Sequence, residues 1–138
     1  MQTKTTNKES VEQISLFRWA MYFESKYPEL ALLYHVPNGG KRDKVTAARL
    51  KTEGVKAGVP DLVLPVGRDG YLGLYIEMKV GKNRTTKEQK KWLKNLTEQG
   101  YKTAVCYDWM EASELLEDYL GKKPTLEIIK EWRKSNEA

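Results

Sequence analysis

The chain has one cysteine, one histidine and no apolar run near the length a bilayer demands. Cys106 on its own leaves no internal disulfide framework, and a zinc site of thiolates has no second sulfur. His35 on its own leaves no multi-histidine metal centre. A membrane-spanning helix needs roughly 20 consecutive apolar residues, and no segment approaches that. The opening MQTKTTNKES lacks the apolar core of a secretory signal. There is no glycine-rich phosphate loop with its lysine, and no nucleophile elbow. These absences predict a chain free of membranes in a reducing, cytoplasmic setting. What is present is globular: 40% hydrophobic, with four Trp, eight Tyr and two Phe in 138 residues. That suffices for one domain with a real core.

Net charge is +5, and its placement says more than its size. From Lys79 to Lys102 there are eight basic residues against Glu88 and Glu98. From Lys41 to Lys56 there are six against Asp43 and Glu53. Such polarity suits a phosphate backbone lying across one side, although lysine runs also merely solvate helix faces.

Ser10 fits an N-cap, with Gln13 three residues later as in a capping box. That helix is expected to run to about Tyr27, where Pro28 stops it. Glu12 then lies in its first turn and heads an apolar stripe of Leu16, Trp19, Ala20 and Phe23. Leu32–Val36 reads as a short strand, followed by the turn Pro37-Asn38-Gly39-Gly40. A helix from Asp43 to about Glu53 closes at Gly54. Asp61–Val66 and Tyr71–Lys79 read as hairpin strands joined through Gly67-Arg68-Asp69-Gly70. Thr85 or Thr86 caps a helix ending before Gly100. Strand Lys102–Tyr107 and helix Met110–Leu120 follow, and a final helix carries Leu126, Ile129 and Trp132. The order predicts an α/β fold, a mixed central sheet flanked by helices on both faces. The division is one domain over 1–138, with a core at about 10–120 and a helical extension at about 124–135.

Alternation along the second hairpin strand sets Leu72, Leu74 and Ile76 on one face. Tyr71, Tyr75, Glu77 and Lys79 fall on the other. A regular ladder counted back through the turn sets Asp61 opposite Ile76, so a bulge or bend near Pro60 is needed to aim it at Glu77. If the two acids converge, they repel unless a cation sits between them. Their hard oxygens suit Mg²⁺, and Lys79 beside them is placed to act on a phosphate or a water. Spacing alone also allows a plain reading, with Asp61 capping a turn and Glu77 pairing with Lys79. Gln89 aligns with Trp92, Leu93 and Leu96 and faces the sheet, yet Thr86 and Gln89 also spell a capping box. His35 is either structural or, with Asn38, lines a site near the acids.

In this order, Glu12, Pro60-Asp61 and Glu77-Met78-Lys79 resemble the PD-(D/E)xK nuclease superfamily. With His35-Val36-Pro37-Asn38-Gly39-Gly40, the stretch Gly54–Asp61 and Gln89, the chain looks like the VRR-NUC family, in particular its small stand-alone members from phages and bacteria. The resemblance runs from about Glu12 to Leu120. It implies a restriction-endonuclease-like core and a Mg²⁺-dependent DNA endonuclease, with Mn²⁺ able to substitute. It further implies branched substrates such as Holliday junctions, a homodimer, and action in the host cytoplasm. By the same resemblance, Asp61, Glu77 and the backbone carbonyl of Met78 would ligate metal, and Lys79 would be the catalytic lysine. Glu12 would support the metal directly or through water, and Gln89 would orient the site. Lys41, Arg42, Lys56, Lys82, Arg84, Lys87, Lys90, Lys91 and Lys94 would hold DNA. The alternative is a nucleic-acid-binding module that has lost catalysis.

Overall fold

Helix α1 begins earlier than the capping signal at Ser10 predicts. In a computed structural model of the chain, which describes residues 4–37 and 43–137, it spans Lys4–Phe23. No proline or glycine precedes Pro28, so nothing stops the helix from extending backward through Ser10. Glu12 is therefore more than two turns inside, not in a first turn. At the other end α1 stops short of Tyr27, which takes φ −124° and ψ 83° ahead of Pro28. Proline disfavours helical geometry in the residue before it. A 3₁₀ turn, Pro28–Leu32, follows, and it shortens the expected strand to β1, Tyr34–His35.

Helix α2, Lys44–Thr52, starts on Asp43, whose carboxylate accepts the Thr46 N–H at 2.7 Å. It ends with Gly54 at φ +102°. There the Gly54 and Val55 amides return to Lys51 and Leu50, the double closure that favours glycine. Strands β2, Leu62–Leu64, and β3, Leu74–Met78, follow. Helix α3 is Lys87–Glu98, strand β4 Lys102–Cys106, helix α4 Trp109–Leu120 and helix α5 Thr125–Ser135. The sheet runs β1-β2-β3-β4. The first two pairings are antiparallel and β3–β4 is parallel. The result is the expected mixed sheet flanked by helices.

The core lies on one face. Leu62, Leu64, Leu74, Ile76, Met78 and Cys106 meet Leu16 and Ala20 of α1 and Ala112, Leu116 and Tyr119 of α4. Leu72 does not join them. It lies before the ladder starts and is exposed, and Met78 takes the third core-facing place on β3. The opposite face carries Tyr75, packed edge-on against Tyr101, and Thr103, whose hydroxyl meets that of Thr97 on α3.

The hairpin register differs from the count made through its turn. Asp69 and Gly70 both have positive φ, and the Tyr71 amide donates to Arg68, as the Asp-Gly pair favours. That turn does not pass its register to the strands. Pro65 lacks an N–H, and the tight bond from Val66 N–H to Leu64 carbonyl interrupts the ladder. Leu62 pairs with Ile76, so continuing one step sets Asp61 opposite Glu77. The chain bends at Asp61, but no bulge is required.

Candidate active site

Asp61 and Glu77 interlock through backbone N–H groups of the facing strand ends. The Asp61 N–H donates to Glu77 Oε2 at 3.2 Å, and the Met78 N–H donates to Asp61 Oδ2 at 2.8 Å. The two carboxyl groups are thus held together at the end of the two central strands. Glu77 is only 2% exposed and Lys79 only 8%. The Lys79 ammonium lies 3.8 Å from Glu77 Oε1. Its backbone N–H bonds the Cys106 carbonyl, which extends the parallel pairing and fixes where the side chain leaves.

Burial pushes the Glu77 carboxyl up to about 8, and the adjacent Asp61 charge adds to the rise while Lys79 opposes it. Burial also raises Asp61, against the Met78 N–H and the Lys79 charge. One lysine does not offset two buried carboxylates. Such a pair either shares a proton or takes up a cation. The donors are hard oxygens on two strand ends, with no thiolate or free imidazole among them, which fits Mg²⁺ or Mn²⁺.

Gln89 joins the pair from α3. Its Oε1 accepts the Thr86 N–H at 2.8 Å, and the Gln89 N–H donates back to the Thr86 hydroxyl. Its Nε2 donates to Glu77 Oε1 at 2.7 Å. The capping box and the sheet-facing role suggested by sequence are both present in one side chain.

Glu12 stands apart. Its Oε2 accepts the Trp109 N–H at 2.8 Å, where the first turn of α4 favours an anion. No group of three acid, histidine or cysteine side chains that could hold a metal forms among the described residues. His35 is tied to the site through Asp61: Nδ1 lies 3.1 Å from the Asp61 carbonyl and also meets the Gln13 side-chain amide. Sequence reasoning missed Gln13, which it had placed in a capping box. Its partner lies 22 residues away, and no local signal links the two. Asn38, Lys41 and Arg42 lie outside the described residues. Lys56, Lys82, Arg84, Lys87, Lys90, Lys91 and Lys94 are exposed. They lie on the loop before Asp61, on the loop after Lys79, and along α3.

The fold is an α/β domain whose mixed sheet presents paired acids and a buried lysine at its strand ends. The model of the VRR-NUC domain family matches residues 6–109, and the chain belongs to that family, a family of nucleases. Among solved structures, one described as a VRR_NUC domain protein is similar, with a TM-score of 0.70 and 28% identity. The match covers 91% of this chain and 97% of that one. Among curated proteins no match is found. No helix among the described residues is long and apolar enough to cross a membrane.

Proposed function

We propose that the protein is a Mg²⁺-dependent DNA endonuclease acting on branched DNA, working as a homodimer with one site per chain. The observation that supports this reading best is the convergence of Asp61 and Glu77, both raised by burial, beside the buried Lys79. Asp61, Glu77 and the Met78 carbonyl would hold the metal, with Mn²⁺ as a substitute. Bound there, it would polarise a phosphodiester and offset the charge that develops on it.

The chain's own groups do the rest. Gln89 holds Glu77 Oε1 from the helix side, and the Met78 N–H holds Asp61 Oδ2, so the carboxylates need little rearrangement when substrate arrives. Lys79 Nζ offers donors toward a phosphate oxygen or the attacking water, where a fixed cation stabilises charge in the transition state. Glu12 acts at one remove, by fixing the start of α4 against α1. The basic side chains of α3 and its flanking loops bind backbone phosphates, and that contribution weakens with salt. A symmetric pair of chains would cut two strands.

The test is to incubate the protein with Mg²⁺ and labelled junction, flap, nicked, duplex and single-stranded DNAs. Wild type is expected to cut at least one branched substrate. Glu77→Ala is expected to lose at least about 100-fold in rate, the scale of removing a charge-stabilising group, with DNA binding retained. Full activity in that variant, or no product from any substrate, rejects the proposal.

A further inference from the structure

Between α3 and the loop at 54–58 lies a cavity of about 540 Å³, lined by Trp92, Leu96, Lys56, Lys91, Glu88, Asn95 and Gln99 among others. Its walls belong to the same two segments that carry site residues. Ala57 is four residues before Asp61, and Trp92 is one turn beyond Gln89. The Trp92 indole N–H donates to the Ala57 carbonyl at 3.0 Å, which pins the ring to the loop. Gly58 makes this closeness possible: a Cβ there would lie 2.8 Å from the Glu88 backbone. A second cavity of about 500 Å³ adjoins the same loop, sharing Lys56 and Ala57 and reaching Lys51 of α2.

The lining has the chemistry of a nucleotide. An aromatic ring with apolar neighbours suits a base face, and two lysines, which outnumber the one acid Glu88, suit its phosphates. Asn95 and Gln99 carry both donors and acceptors for a base edge. The volume falls within the range of roughly 300–1,000 Å³ usual for such pockets. Bases in a closed duplex are stacked and paired, so only an unpaired or extruded base can enter. We infer that this cavity is a subsite for one unpaired nucleotide of a DNA strand, its base against Trp92 and its phosphates toward Lys56 and Lys91. Its meaning rests on the nuclease reading above, because an unpaired nucleotide held on α3 would bear on which DNA is cut. Its test does not.

The full-length protein is mixed in EDTA with a short oligonucleotide bearing 5-iodo-deoxyuridine, irradiated, and mapped by mass spectrometry. The expected adduct is on Trp92. In parallel, Trp92→Ala weakens the single strand about tenfold, as expected for one lost stack, and weakens a blunt hairpin duplex much less. Trp92→Phe keeps a stacking face and stays closer to wild type, and thermal melts show whether each variant folds. An adduct elsewhere, no adduct, or equal losses on both DNAs overturns the subsite. Because no metal is present, an adduct at Trp92 with no cleavage of any DNA would sink the nuclease reading and leave the subsite standing.

Discussion

Glu77 is a carboxylic acid almost sealed from water, and its raised pKa links pH to stability. In the unfolded chain such a group titrates near 4.3; in the fold it is pushed up to about 8. Between those values the native state holds a proton that the unfolded state has released. The contribution is thus fully present below the unfolded value and is lost as pH rises through about 8. Metal-free protein is expected to melt at progressively lower temperature from pH 5 to pH 9. Glu77→Gln keeps the shape without the charge. It should flatten that profile and be the more stable of the two proteins at pH 8 while cleavage is lost. Parallel melting profiles for the two proteins would refute the linkage. Stability and function therefore pull in opposite directions at this one position.

Among elements, the loop at 54–58 and α3 depend on one glycine. Gly58 sits at φ +89° with the Glu88 backbone where a side chain would go. Gly58→Ala should cost about 2 kcal/mol or more, through positive φ and through the clash, and should lower cleavage by displacing Gln89. Urea unfolding measures the first, and a wild-type midpoint would count against it. α3 was legible because its signals are local: Thr86 opens it, Gln89 completes the box, and Gly100 at φ +98° closes it. Helix α1 was misplaced because Ser10 is a sound cap that nothing compels the chain to use. The hairpin was recognised but its register was not. The turn at Asp69-Gly70 forms as written, while Pro65 decouples it from the ladder that sets Asp61 against Glu77. The Gln13–His35 contact joins separate elements and had no signature to read.

The whole molecule divides its labour by face. One side of the sheet buries the core under α1 and α4, and the other supports α3 with its exposed lysines. A cation that binds only the folded site must stabilise the entire fold by mass action. At tenfold excess over its dissociation constant, Mg²⁺ should raise the melting temperature by roughly 4–6 °C for a chain of this size. It should do little for Glu77→Gln or Asp61→Asn, and an equal rise in all three would contradict a site on these residues. The same coupling has a finer form in Gln89. Its carbonyl end answers a signal four residues long, which the chain can satisfy before any sheet exists. Its amide end is then presented to Glu77 with its rotamer already chosen, so little disorder remains to be removed when β3 arrives. The acid's alignment is in that sense inherited from the start of a helix. A change at Thr86, which touches neither carboxylate, would reach Glu77 as a loosened partner.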